Sequence, residues 1–184
     1  MISMRVEAKI LLVEDDVSMG YLLTTILQTE GYGPRLCIDG ETALKEFIPG
    51  YYDLCVLDVM MPGMDGFQVM AGLKAIEPNS YVPVLVITAQ PNHKLRALEV
   101  GARDFISKPF DLVEVKTRIR NMLEVRLLHK KIENYSKTLE QTVQERTAEL
   151  RESEARFRRL TELASDWYWE QDENGHFTKV YGPV

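Results

Sequence analysis

Long hydrophobic runs are missing from this sequence of 184 residues. No apolar stretch approaches the roughly 20 residues that a membrane-spanning helix requires. Near the N-terminus, Arg5, Glu7 and Lys9 precede a short apolar run that stops at Glu14, which is unlike a secretion signal. We therefore expect a soluble, cytoplasmic protein with no membrane association.

Cysteine and histidine are also scarce. The two cysteines, Cys37 and Cys55, each lie in a short apolar run, and a disulfide framework needs more than one such pair. The three histidines are scattered and lack the mutual spacing of metal ligands. The sequence thus predicts free, buried thiols in a reducing compartment and no zinc site.

Basic charge is in deficit over the first two thirds of the chain. Residues 1–119 carry 16 acidic and 11 basic side chains, within a formal net charge of -6 for the whole sequence. Nucleic-acid binding needs a basic face that contacts phosphates. No helix-turn-helix pattern follows this region either, so we expect no direct contact with nucleic acid.

What the first 119 residues do contain is a regular alternation of strand and helix signals. Short, continuous apolar runs are typical of strands that are buried on both faces of a sheet. Such strands are predicted at 9–13, 35–38, 53–57, 83–88 and 103–106, and helices at 17–30, 42–48, 67–76 and 91–100. This alternation predicts an α/β fold with a doubly wound parallel sheet, whose functional site lies outside the carboxyl ends of the strands.

Polar residues with related chemistry follow these strands. Three carboxylates, Glu14, Asp15 and Asp58, would repel one another at one sheet edge unless a cation lay between them, and all-oxygen ligands suit Mg²⁺. Phosphoryl transfer needs a nucleophile, a metal and fixed positive charge. Asp58 can supply the nucleophile, Lys108 the charge and Thr88 a hydroxyl donor. Each residue alone is ordinary in a turn, strand or loop, so the interpretation depends on their convergence.

Four segments carry a resemblance to a known family. The segments at 10–16 (ILLVEDD), 53–66 (DLCVLDVMMPGMDG), 84–89 (VLVITA) and 101–110 (GARDFISKPF) resemble the signatures of response-regulator receiver domains, in order and in spacing. The resemblance implies a flavodoxin-like fold with strand order 2-1-3-4-5. It also implies a phosphorylation switch, rather than an enzyme with a separate substrate, that receives its phosphoryl group from a sensor histidine kinase or phosphotransfer protein.

The resemblance further implies a role for each residue of the site. Asp58 would be the phosphoacceptor, and Mg²⁺ would be bound by Asp15, Asp58 and the backbone carbonyl of Met60, with Glu14 acting through water. Thr88 and Lys108 would contact the phosphoryl group. Thr88 and Phe105 would be the switch residues.

Neither glycine nor proline occurs between residue 110 and Gly175. This composition and the recurring apolar residues predict one helix from about 111 to about 164. A stripe that long cannot be buried on so small a domain, so the helix either forms a dimeric coiled coil or is unstable. The predicted seam consists of Ile132, Tyr135, Leu139, Val143, Arg146, Leu150, Ser153, Phe157 and Leu160. At Leu139 two spacings of four residues follow each other, and such an interruption of the heptad pattern is called a stutter.

The last residues change character. The segment 153–161 (SEARFRRLT) and the following aromatic and turn residues resemble the entry helix and first hairpin of a PAS domain. A whole domain of that kind is much longer, so the sequence looks like a piece of a larger protein. A hairpin that caps the coiled coil is the alternative. We thus predict a receiver domain at 1–120, a coiled-coil signalling helix at 121–164 in a parallel homodimer, and a truncated PAS-like start at 165–184.

Two other functions compete with the phosphorylation switch. A receiver-like scaffold that only dimerises has no need of the full set of site residues. A Mg²⁺-dependent phosphatase with an aspartyl intermediate needs a second Asp two residues after the nucleophile as its acid/base, and Met60 stands there instead.

Overall fold

The computed structural model describes residues 8–78, 82–90, 92–163 and 168–181. The chain divides into two compact units, residues 1–130 and residues 131–184. The domain boundaries expected from the sequence, at 120 and 164, stay predictions. None of the described helices is both long enough and apolar enough to cross a membrane.

A parallel sheet forms the centre of the first unit. Its five strands are β1 (Lys9–Val13), β2 (Gly33–Cys37), β3 (Leu54–Asp58), β4 (Val84–Thr88) and β5 (Asp104–Ser107). They lie in the order β2-β1-β3-β4-β5, which confirms the predicted fold class and strand order. The central strands β3 and β4 are buried along their whole length, as their continuous apolar sequences predict.

Helices cover both faces of this sheet. They are α1 (Val17–Thr29), α2 (Gly40–Glu46), α3 (Gly66–Ile76), α4 (Asn92–Val100) and the first part of α5 (Leu112–Leu163). Residues of α1 and α5 pack on one face, around Leu23, Leu27 and Ile119, and residues of α2, α3 and α4 pack on the other, around Phe67. The single long helix predicted from about 111 to about 164 is confirmed as α5.

Acidic residues begin several of the helices. The side chains of Asp16, Asp39 and Asp65 each accept a hydrogen bond from a backbone N–H in the first turn of α1, α2 and α3. Such caps satisfy N–H groups that have no partner within the helix. Each βα loop is therefore fixed just beyond a strand end, where the site residues lie.

Several predicted element boundaries differ from the structure by one or two residues, and three of the differences concern the sheet edge or the site. The second strand begins at Gly33 and not at 35, because proline is tolerated in an edge strand such as β2 and Pro34 pairs with Ile10 there. The helix expected to begin at Thr42 begins at Gly40, with Asp39 as its cap. Asp58, expected just after the third strand, is the last residue of β3 and pairs with Ile87.

The two cysteines are free and buried, as predicted. Burial raises the pKa of the Cys55 thiol to about 12 and that of the Cys37 thiol to about 11. Thiols with such pKa values stay protonated at neutral pH and are poor nucleophiles.

The second unit contains the rest of α5 and one antiparallel hairpin. Its strands are β6 (Tyr168–Gln171) and β7 (Phe177–Tyr181), and Trp169 pairs with Val180. The hairpin expected from the turn sequence at 172–175 is present, whereas Trp167, which was expected to belong to it, lies outside the described residues.

Candidate functional site

The three predicted carboxylates converge at the carboxyl ends of β1 and β3. Ligand atoms of Glu14, Asp15 and Asp58 all lie within 4.8 Å of one another. Glu14 exposes only 1 % of its surface and Asp58 only 3 %, whereas Asp15 is half-buried. We call these three residues the acidic cluster.

A basic side chain, that of Lys108, reaches this cluster from the position directly after β5. Lys108 Nζ lies 2.6 Å from Asp58 Oδ2 and 3.0 Å from Glu14 Oε2. The backbone N–H of Lys108 donates to the carbonyl oxygen of Thr88 at 2.8 Å, which holds the residue against β4. The fold thus brings together Glu14 and Lys108, which are 94 positions apart in the sequence.

Burial controls the electrostatics of the site. It raises the pKa of Glu14, and the negative charge of Asp58 raises it further, while the hydrogen bond from Lys108 opposes both effects. Burial lowers the pKa of Lys108, but the hydrogen bonds to Asp58 and Glu14 outweigh this and leave it above its ordinary value. Lys108 therefore remains charged at neutral pH.

The donor set fits a hard divalent cation. Three carboxylates face one ammonium group, so the cluster has an excess of negative charge when its members are ionised. Mg²⁺ prefers oxygen ligands and is commonly bound by one or two protein carboxylates together with water. The acidic cluster offers such oxygens without any competing sulfur or nitrogen ligand among its three members.

Backbone groups orient the Asp58 side chain. Its Oδ1 accepts a hydrogen bond of 2.8 Å from the N–H of Met60. A Cβ atom at Gly66 would lie 2.6 Å from the backbone carbonyl oxygen of Asp58, so only glycine permits the chain to return this closely past the backbone of Asp58. The loop after β3 is therefore packed tightly against Asp58.

Thr88 and Phe105 occupy neighbouring strands. Thr88 is buried at the end of β4, and its hydroxyl oxygen accepts a hydrogen bond of 3.2 Å from the N–H of Gln90. Phe105 pairs with Val86 in the sheet and packs, half-buried, against the core on the face that α2, α3 and α4 cover. Thr88 thus shares the sheet edge of the acidic cluster, whereas Phe105 lies within the adjacent strand.

Sequence reasoning missed a second buried charge. Asp53 is buried immediately before β3, and its Oδ1 lies 2.5 Å from Lys130 Nζ on α5. Its Oδ2 accepts a hydrogen bond of 3.0 Å from the backbone N–H of Lys9. The available signal was an acidic residue directly before the apolar run of β3. The distant lysine that neutralises it is not recognisable from the sequence.

Comparison with known sequences identifies the first unit. Residues 10–120 match the family described as "Response regulator receiver domain". The transcriptional regulatory protein RprY of Bacteroides fragilis is 42 % identical over 125 residues, which cover 67 % of this chain and 52 % of RprY. The response regulator PleD of Caulobacter vibrioides is 39 % identical over 123 residues, covering 66 % of this chain and 27 % of PleD. The chain thus matches about half of RprY and about a quarter of PleD.

Solved structures agree with this assignment. The non-phosphorylated HemR receiver domain of Leptospira biflexa is 34 % identical, with a TM-score of 0.60 over 64 % of this chain and 94 % of that one. The TrrA response regulator of Thermotoga maritima, in complex with Mg²⁺ and BeF, is 30 % identical, with a TM-score of 0.56 over 62 % of this chain and 98 % of that one. The family match spans more than half of the sequence, and the chain therefore belongs to the response regulator receiver domain family.

Proposed function

We propose that Asp58 is the residue that accepts the phosphoryl group. Receiver domains are signalling switches of two-component systems, and they interact with histidine kinases or phosphotransfer proteins. The observation that carries the proposal is the position of Lys108 Nζ, 2.6 Å from Asp58 within a buried acidic cluster. Lys108 thus places a fixed cation beside this carboxylate, and Glu14 and Asp15 are two further carboxylates that can share a metal ion.

The proposed reaction is a direct displacement at phosphorus. A carboxylate oxygen of Asp58 forms the new bond to phosphorus while the bond from phosphorus to the imidazole nitrogen of the donor histidine breaks. The ammonium group of Lys108 would shift from the carboxylate toward the oxygens of the transferred phosphoryl group. The hydroxyl of Thr88, on the neighbouring strand, would donate to another of these oxygens.

Receiver domains use Mg²⁺ in phosphorylation. Asp15, Asp58 and the backbone carbonyl of Met60 would bind it directly, with Glu14 acting through water. When bound, Mg²⁺ supplies positive charge that neutralises the carboxylates and the phosphoryl oxygens. In its absence the carboxylates of the cluster repel one another and an incoming phosphoryl group, so we expect phosphorylation to depend on added Mg²⁺.

Intact-mass spectrometry tests this proposal. Acetyl phosphate with Mg²⁺ should add one phosphoryl group to the chain, and Asp58→Asn should prevent the addition while circular dichroism shows an unchanged fold. Asp111→Asn, which changes an exposed carboxylate before α5, should be labelled like the unaltered chain. Equal labelling of Asp58→Asn would remove Asp58 from its proposed role.

For the output, we propose that α5 pairs with its copy in a parallel coiled coil and leads into a PAS-like domain. Exposed apolar residues at seam positions support the pairing, namely Ile132, Tyr135, Leu139, Val143, Leu150, Phe157 and Leu160. The hairpin of β6 and β7 supports the PAS-like start at 165–184. The PAS-like region would receive the signal.

The seam also suggests how a signal could pass along the helix. The stutter between Leu139 and Val143 and the polar Arg146 and Ser153 weaken knobs-into-holes packing, and such a seam can have two registers of similar energy. Phosphorylation of Asp58 would favour one register, which is the kind of bistable element that a switch requires. A passive spacer is the alternative.

Insertions distinguish the switch from the spacer. In the full-length protein, seven residues inserted after Leu150 keep the heptad phase and should preserve regulation, whereas two inserted residues should disturb it. In addition, Leu150→Cys should crosslink to its own copy in a parallel pair. Regulation that tolerates both insertions would support the spacer.

A further inference from the structure

The ion pair of Asp53 with Lys130 has no part in the proposed phosphorylation chemistry. Asp53 exposes only 4 % of its surface, and its Oδ1 lies 2.5 Å from Lys130 Nζ. Removing a charge from water costs several kcal/mol by general estimates unless a partner compensates for it. A buried pair away from the acidic cluster therefore requires an explanation other than catalysis.

The carboxylate of this pair is fixed to the centre of the sheet. The backbone N–H of Lys9 donates to Asp53 Oδ2 at 3.0 Å, and the N–H of Asp53 donates to the carbonyl oxygen of Lys9 at 2.7 Å. Asp53 directly precedes β3, and Asp58 is the last residue of that strand. The backbones of the two aspartates are therefore about 16 Å apart along one strand, at roughly 3.3 Å per residue.

The lysine of the pair lies at the end of the stripe that α5 packs against the receiver. The residues that precede it on this stripe at helical spacing are buried, namely Val115, Ile119, Leu123 and Arg126. Lys130 itself is half-buried, whereas every residue from 131 to 160 is exposed. The ion pair thus marks the end of the packed part of α5.

We propose that the Asp53–Lys130 pair fixes the point at which α5 leaves the receiver. A movement of α5 caused by phosphorylation then passes into the helix beyond residue 130, because the last packed turn does not detach from the sheet. Lys130 is a positioning residue for the output. This inference rests on the proposed function, in which α5 carries the signal.

An ion pair is better suited to this role than an apolar contact. Apolar burial is non-directional, so the contacts of Leu123 restrain the rotation of α5 weakly. Successive positions on a helix point about 100° apart, so a rotation of α5 by one position would take Lys130 away from Asp53. That rotation leaves a buried carboxylate without its cation, which is strongly unfavourable. The pair therefore holds the helix in one orientation.

Thiol labelling measures detachment of the packed turn. Leu123→Cys is introduced into every variant and places a thiol on the buried face of α5. Cys55, which is buried within β3, is the internal reference, because it should react only when the whole domain unfolds. Peptide mass spectrometry after treatment with a thiol reagent gives the two rates separately.

Two substitutions break the pair in different ways. Asp53→Asn removes the negative charge and keeps a side-chain oxygen for the N–H of Lys9, and Lys130→Met removes the ammonium group. We expect each to speed labelling at position 123 at least about tenfold relative to Cys55, because the last packed turn opens locally.

Matched controls separate positioning from stability. Lys130→Arg keeps the positive charge and should be labelled slowly, and Lys116→Met breaks a half-exposed pair with Glu30 on the same helix and should be labelled slowly too. Equal acceleration at position 123 and at Cys55 would mean that the pair only stabilises the domain, which would overturn the inference. No acceleration at position 123 would overturn it as well.

The full-length protein tests the consequence for signalling. Lys130→Met should be phosphorylated by acetyl phosphate like the unaltered protein, but the activity that phosphorylation regulates should lose most of its response. A full response in Lys130→Met would overturn the inference. If the unaltered protein shows no response to phosphorylation, the proposed output through α5 fails instead, and thiol labelling still decides whether the pair holds the helix.

Discussion

The ammonium group of Lys108 lies between two buried carboxylates, 2.6 Å from Asp58 Oδ2 and 3.0 Å from Glu14 Oε2. Its positive charge repels a divalent cation bound by Asp15 and Asp58, with Glu14 acting through water.

Removing the lysine charge should therefore tighten Mg²⁺ binding. We expect Lys108→Met to lower the Mg²⁺ dissociation constant at least about threefold, because one unit of competing positive charge leaves a buried site. Isothermal titration calorimetry measures this. Lys116→Met, which removes an ammonium group paired with Glu30 on the surface, is the control and should bind Mg²⁺ like the unaltered chain. Weaker binding to Lys108→Met would show that the lysine supports the metal site.

The lifetime of the phosphoryl group should depend on Met60. Its side chain is 46 % exposed, two residues after Asp58, and a thioether has no strong donor or acceptor to orient an attacking water. We predict that the unaltered chain loses its phosphoryl group slowly and that Met60→Asn and Met60→Glu lose it faster. The decay of the phosphorylated species in intact-mass spectra measures both rates. Met60→Leu is the apolar control. If all three variants decay at the rate of the unaltered chain, this account of the lifetime is wrong.

Asp53 and Lys130 should contribute to stability more than surface ion pairs do. Lys130→Met leaves the Asp53 carboxylate buried without its cation, which we expect to lower the free energy of unfolding by about 2 kcal/mol. The same substitution at Lys116 breaks a half-exposed pair and should cost less than about 1 kcal/mol. Urea denaturation compares the two. Equal losses would mean that burial of Asp53 adds nothing to the pair.

The C-terminal hairpin should exchange its amide protons rapidly. In β6 and β7, Trp169, Phe177 and Val180 are largely exposed, and an isolated two-stranded hairpin is marginal in water. We predict that residues 168–181 are mobile at low concentration, or ordered only by a neighbouring chain. Hydrogen exchange followed by mass spectrometry tests this, with β3 as the protected reference. Slow exchange of the segment at dilute concentration would contradict it.

Local patterns in the sequence predicted most of the fold, because β1, β3 and β4 lie in short apolar runs and several helices begin at an acidic cap. β1 was predicted with its exact bounds, Lys9–Val13. The error at Gly33 arose because glycine and proline end most strands, and the sequence does not reveal which strand lies at a sheet edge. Asp58 was placed one residue outside β3 because the predicted strand ended with its last apolar residue. The backbone pairing continues through Asp58, and a polar side chain gives no sign of it.

The candidate site was predicted in part. The convergence of Glu14, Asp15 and Asp58 follows from their positions after strands of one parallel sheet. The reach of Lys108 to Glu14 and the pairing of Asp53 with Lys130 depend on tertiary packing between distant segments, which no local pattern encodes.

Chemical trapping of the modified residue tests the central claim most directly. An aspartyl phosphate is an acyl phosphate, and borohydride reduces it to the corresponding alcohol, which converts a phosphorylated aspartate to homoserine. After treatment with acetyl phosphate and Mg²⁺, peptide sequencing by mass spectrometry should find homoserine at position 58 and aspartate at position 15. Homoserine at position 15, or at any other site with position 58 unchanged, would contradict the account.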